Sequence, residues 1–182
     1  EVKSYSDDAH QVVDDLFFEY ARILNGLQPK VFIAENVAGL IKGTAKGYFK
    51  EIYAKLQDCG YRVVCKQLDA AWLGVPQKRG RTIFVGIRNN LWKPEYEGKT
   101  HPMPLPYQVT LDQAFEGLEF TEQDALDTDL SRYSVYPLLK SLLPGTSHLK
   151  RYTLSKSSRH SQSYCITATT SNVGAGNPYH WD

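Results

Sequence analysis

Residues 30–40 read KVFIAENVAGL, an apolar run from Val31 to Ala34 that passes directly into a carboxylate and an amide, Glu35 and Asn36. The run is rich in β-branched and aromatic residues and follows the break GLQPK (26–30). That combination predicts a short buried strand. Ligands of open α/β sheets gather outside the carboxyl ends of the strands, so a polar pair at this strand's end is suitably placed for function. A solvated strand end would carry the same residues, and this stretch alone does not choose between the two.

Working outward, Val12, Val13, Leu16, Phe17, Tyr20, Ile23 and Leu24 recur at helical spacing before the strand. After it, Tyr48, Phe49, Ile52, Tyr53 and Leu56 do the same, and Gly60 suits a helix C-cap. YRVVCKQL (61–68) reads as a second strand and RTIFVGIR (81–88) as a third. The order helix, strand, helix, strand, strand is α/β. The link GVPQKRG (74–80) is too short for a crossover, so the last two strands are expected to be antiparallel. The first half holds no glycine-rich strand-to-helix turn of the dinucleotide or AdoMet type. A sheet that opens on a helix, with no strand before it, reads as the second half of a doubly wound sheet.

After Arg88 the character changes. NNLWKPEYEGKTHPMPLPYQ (89–108) is proline-rich and reads as a linker over the surface. VTLDQAFEGL (109–118) suggests a short capped helix, SVYPLLKSLLPG (134–145) another, and SYCITATT (163–170) a strand. The expected division is 1–90 and 91–182, with the boundary in the span 89–110.

Composition narrows the class. Of 182 residues 42% are hydrophobic and 23% charged, an ordinary globular balance, and no apolar run is long enough to span a bilayer. The opening EVKSYSDDAH is too polar for a secretory signal. The three cysteines form neither a zinc-type pair nor an even disulfide framework, so no metal site is expected and a reducing, cytoplasmic setting is. Cys59 and Cys65 flank a turn and read as packing residues. Net charge is +1, but residues 111–130 hold seven acids and no Lys or Arg, whereas 131–182 hold six Lys/Arg and one acid, Asp182. That basic tail suits phosphates, or equally a surface that pairs with the acidic segment.

GVPQKRGR (74–81) is the second informative stretch. Gln77, Arg79 and Arg81 alternate with Lys78 and Gly80 as the chain enters the third strand, and period-two geometry puts the three on one side of it. Such a face suits phosphates or base edges. It also suits a sheet edge kept from aggregating by charge.

Together, ENV at one strand's end and PQKRGR leading into another resemble the cytosine-5 DNA methyltransferase family. The similarity runs from DDLFFEYARIL (14–24) through PKVFIAENVAGL (29–40) and LDAAWLGVPQKRGRTIFVGIRN (68–89). The resemblance implies the second half of an AdoMet-methyltransferase sheet followed by a small, irregular target-recognition region. It implies that Glu35 holds a flipped cytosine by its ring nitrogen 3 and exocyclic amine, with Asn36 orienting the catalytic loop. Arg81 would donate to the cytosine carbonyl with Arg79 in support, Gln77 and Arg79 would lie at the DNA, and the backbone at Leu16, at the start of its helix, would border S-adenosyl-L-methionine. Thr167 and its neighbours would touch bases, or would be solvated strand residues. Double-stranded DNA is the implied partner, in a bacterial- or phage-type restriction-modification setting. The family's Pro-Cys nucleophile and its glycine-rich turn have no match here, nor does its closing segment. The chain is therefore expected to be a fragment, inactive alone, which self-associates through an unpaired strand edge or joins the missing part of the enzyme. The alternative is a non-catalytic DNA-binding chain of a split, permuted or degenerate methyltransferase.

Overall fold

The helix expected from Gln11 to Leu24 extends from Asp7 to Leu27 (α1). Its turn ends in Gln28, whose N–H donates to the Leu24 carbonyl at 2.9 Å with φ at +46°, a left-handed helix stop. A computed structural model describes residues 7–41, 45–119, 121–123, 131, 133–134, 136–149, 151–165 and 178–179. Contacts divide the chain into two units, 1–68 with 80–102, and 69–79 with 103–182. One break between the units falls after Pro102, and the loop carrying Gln77 and Arg79 groups with the second unit.

In the first unit α1 leads into β1 (Val31–Val37), α2 (Ala45–Asp58), β2 (Tyr61–Asp69) and β3 (Gly80–Arg88). The strands form one sheet in the order β1-β3-β2, with β1 and β3 antiparallel. Backbone bonds close both ends of the β2–β3 pair, Ala70 N–H to the Arg79 carbonyl at 3.2 Å and Asn89 N–H to the Gly60 carbonyl at 3.0 Å. The end of one strand therefore meets the start of the next, the antiparallel arrangement that the short link requires.

Along β1, Phe32 and Ala34 are buried while Val31, Ile33, Glu35 and Val37 are exposed. The strand is thus half-buried, with period two, and not buried on both faces as its apolar run suggests. Phe32, Ala34 and Phe84 join Ala21 and Leu24 of α1, Ile52 and Leu56 of α2, and Tyr61 and Val63 of β2 in one core. Phe32 packs edge-on to Tyr61 with ring centroids 5.1 Å apart, and Phe17 edge-on to Phe84 at 5.9 Å. Gly86, opposite Phe32 in the register, makes room for that ring: a Cβ there would lie 1.9 Å from Phe32 Cε1. Cys59 is part of the core and Cys65 packs against it, as their sequence setting suggests. Burial pushes the Cys65 thiol up to about 11 and raises that of Cys59.

The second unit begins with a 3-10 turn at Ala70–Leu73, capped by the Asp69 carboxylate on the Ala71 N–H and closed by Gly74 at φ +86°. The expected capped helix is α3 (Leu111–Ala114), where Thr110 and Gln113 form a reciprocal capping box. Helix α4 (Tyr136–Ser141) is the second expected helix. A small sheet, β4 (Ser147–His148), β5 (Arg151–Lys156) and β6 (Pro178–Tyr179), lies in a region expected to be irregular; β5 pairs antiparallel with β4 and parallel with β6. Of the strand expected at 163–170, Ser163 makes one isolated bridge to Gln77, Tyr164 and Cys165 lie in no strand, and 166–170, Thr167 included, lie outside the described residues.

Candidate base-recognition site

Glu35 and Arg81 sit near the ends of neighbouring strands because β1 and β3 run antiparallel, so the carboxyl end of one meets the amino end of the other. The register sets Glu35 opposite Ile83 and Val37 opposite Arg81. The Arg88 N–H bonds the Lys30 carbonyl at 3.1 Å, which fixes the ladder's phase. Counting along the register, Glu35–Ile83 and Val37–Arg81 are pairs without ladder bonds, where side chains approach most closely. Arg81 reaches diagonally to Glu35, its Nε 2.5 Å from Glu35 Oε1, while its Nη1 donates to the Gly80 carbonyl at 2.8 Å. The guanidinium side chain is 22% exposed and the carboxylate 53%, so the pair presents its acidic end to solvent.

Asn36 points the other way along the strand's alternation. Its Oδ1 accepts the Val37 N–H at 2.7 Å, fixing the backbone that follows Glu35. The fully buried Thr82 hydroxyl donates to the Val37 carbonyl at 3.4 Å, and Gln67 Nε2 donates to the Ala38 carbonyl at 3.2 Å. The exit from β1 is therefore held from β1 itself, from β3 and from β2.

Gln77 and Arg79 precede β3, so the expected strand-like sharing of one face with Arg81 does not apply to them. Lys78 N–H donates to the Ser163 carbonyl at 2.8 Å and Ser163 N–H to the Pro76 carbonyl at 2.9 Å, which pins this loop within its own unit. Arg79 is bound at both ends: its N–H donates to Asp69 Oδ1 at 2.9 Å and its Nη1 to Cys165 Sγ at 3.0 Å. Leu16 lies well inside α1 and not at a helix start, with its side chain 65% exposed. Leu16 alone makes no cradle for S-adenosyl-L-methionine.

His101 was missed by the sequence reading. It lies in the proline-rich stretch taken for a surface linker, yet it is 5% exposed. Its Nε2 lies 3.0 Å from the Ile83 carbonyl and its Nδ1 2.9 Å from Thr100 Oγ1. A histidine beside a threonine was the available signal, masked by the prolines around it. Among the described residues no group of His, Cys, Asp and Glu could hold a metal ion, and no helix is long and apolar enough to cross a membrane.

In fold the chain resembles methyltransferases of known structure. One is a DNMT2 variant from Spodoptera frugiperda, at TM-score 0.53 and 20% identity over 88% of this chain and 44% of that one. Another is the S. pombe Dnmt2 methyltransferase, at TM-score 0.52 and 17% identity over 88% of this chain and 47% of that one. Residues 3–177 match the model of the C-5 cytosine-specific DNA methylase family, and the chain belongs to that family. The Type II methyltransferase M.PspPI of Psychrobacter sp. (strain TA137) is 35% identical over 127 residues, 69% of this chain and 29% of that protein. M.BspRI of Lysinibacillus sphaericus is 37% identical over 122 residues, 63% of this chain and 28% of that protein. The chain thus spans less than a third of the length of these relatives.

Proposed function

We propose that this chain supplies the base-recognition part of an AdoMet-dependent DNA cytosine-5 methyltransferase, in which Glu35 and Arg81 hold a cytosine flipped out of the duplex. The Glu35–Arg81 pair at adjoining strand ends carries this reading. A cytosine stacked inside DNA exposes neither its ring nitrogen 3 nor carbon 6, so it must leave the helix to react. Glu35 Oε1 is engaged by Arg81, and Oε2, without a partner among the described residues, is left to meet the cytosine edge. When a thiolate from outside this chain's assigned residues adds at carbon 6, electron density moves toward ring nitrogen 3. In its protonated form the Glu35 carboxyl can deliver its proton to ring nitrogen 3, becoming the carboxylate that pairs with Arg81. The adjoining guanidinium stabilises the charge that develops across the nitrogen and the ring carbonyl.

Asn36 keeps the Glu35 backbone in place through its bond to Val37. Gln77, Arg79 and Thr167 are assigned to the DNA side, Arg79 through a loop already ordered by Asp69 and Cys165. Leu16 is assigned to the edge of the cofactor pocket. Bisulfite sequencing of duplex DNA exposed to the full-length protein tests the reading. Methylation of cytosine at carbon 5 within a defined sequence, abolished by Glu35→Ala, supports it; full methylation by Glu35→Ala overturns it.

A further inference from the structure

Resting on that reading of Glu35 and Arg81, we infer that His101 is a positioning residue for the pair, acting through the β3 backbone at Ile83. The ring is buried, and its two nitrogens each meet a polar atom, the Ile83 carbonyl and the Thr100 hydroxyl. A carbonyl only accepts, so Nε2 carries the proton toward Ile83. That assigns the tautomer and leaves Nδ1 facing Thr100.

Ile83 is the residue opposite Glu35 in the register, and Arg81 lies on the same face of β3 two positions before it. In the phase set by the Arg88–Lys30 bond, Ile83 makes no ladder bonds to β1; its N–H and carbonyl turn to the far side of the strand. The histidine thus grips β3 at the one residue that faces Glu35, from the side away from Glu35. Any slackening of β3 there changes the distance between the Arg81 guanidinium and the carboxylate. His101 itself reaches neither side chain.

The experiment uses the full-length protein with two substitutions. His101→Phe keeps ring volume and removes both polar contacts; His101→Gln places an amide donor near the position of Nε2. Two readouts are taken: hydrogen exchange at the Arg81 Nε–H by nitrogen-15 NMR, and kcat against KM for duplex DNA. In His101→Phe the Arg81 Nε–H should exchange about tenfold faster, as a locally opened contact does. The same variant should lose roughly 10- to 100-fold in kcat, the usual cost of misplacing a reacting group by about an ångström. KM for DNA should stay within about twofold, since phosphate contacts are untouched. His101→Gln should restore most of both losses. Unchanged exchange and kcat in His101→Phe overturn the inference. So do equal losses in both variants that follow their thermal midpoints, since that pattern is packing alone. Should the unsubstituted protein transfer no methyl group, the function proposed above fails by itself; Arg81 exchange still decides whether His101 positions the pair.

Discussion

Arg81 Nε meets Glu35 Oε1 at 2.5 Å across a strand pair in which the two residues are diagonal and not opposite. An ion pair half open to water contributes at most about 1 kcal/mol to stability. Its substitution should therefore reveal chemistry and not unfolding. Arg81→Ala in the full-length enzyme should lose on the order of 2–4 kcal/mol of transition-state stabilisation, as deletion of a donor aimed at developing charge does. Glu35→Ala should lose more turnover than DNA affinity, with Glu35→Gln between parent and Ala. On the proposed reading both groups act on one base, so the double substitution should cost less than the sum. Single-turnover methylation and DNA binding, measured side by side, check all three.

Gly86→Ala should be costly although it adds one methyl group. The new Cβ would lie inside the Phe32 ring, and both the ring and the central strand must shift. Overpacking of this kind costs typically 1–3 kcal/mol. Phe32→Ala alone should cost about 3–5 kcal/mol. In the double variant the alanine at 86 should add little, because the ring it strikes is gone. Urea denaturation of the three variants measures the coupling.

Cys65 makes stability fall in alkali. Its thiol is raised in the folded state to about 11, from an ordinary value of 9.0, because burial disfavours the thiolate. The folded chain therefore holds this proton more tightly than the unfolded chain does. The corresponding stability is fully present below about pH 9 and is lost as pH rises toward about 11. Cys65→Ser should flatten that decline in urea titrations between these limits. Below pH 9, iodoacetamide should label Cys65 faster in urea than in the native protein.

The basic tail has one of its charges already committed. Arg159 binds Asp112 with Nη2 to Oδ1 at 2.5 Å, and Nε also donates to that oxygen at 2.9 Å. Asp112→Asn removes the competing carboxylate charge. Duplex DNA affinity should fall with salt in the parent and fall more steeply in Asp112→Asn, by up to about 0.9 in the logarithmic slope if one further phosphate contact forms. Fluorescence anisotropy across a salt series measures both slopes.

The first unit was largely legible in the sequence because its signals are local. The spacing of Phe17, Tyr20 and Leu24, and of Ile52 and Leu56, follows from which side of a helix meets the core. The antiparallel turn from β2 to β3 follows from a link too short for a crossover. Glu35 and Arg81 were nameable from ENV and PQKRGR, but their diagonal register was not, since pairing between distant strands leaves no trace in either one. Gln77 and Arg79 were expected to share a face with Arg81 as the chain enters the strand, and Gly80 carries no sign that the ladder starts only there. His101 escaped notice because burial of a linker residue depends on what lies above it, not on its neighbours in the chain. The hairpin of β4 and β5 escaped for a related reason: Ser147–His148 is too short to show alternation.

The hydroxyl of Tyr20 donates to the Ile33 carbonyl at 3.3 Å, and Ile33 belongs to the β1 residues whose backbone groups turn away from β3. A strand that added itself to the edge of β1 that no described strand covers would want that carbonyl. It would find it already occupied, and further along it would find the Val37 N–H held by Asn36. Growth of the sheet on this side exchanges partners at these groups, whereas a ladder bond made to a group open to water gains about 0.5–1.5 kcal/mol net. Choice among incoming strands then passes to Val31, Ile33 and Val37, whose side chains stand exposed along β1. Hydrogen bonds already occupy part of this edge, and Glu35 sits along it between Ile33 and Val37.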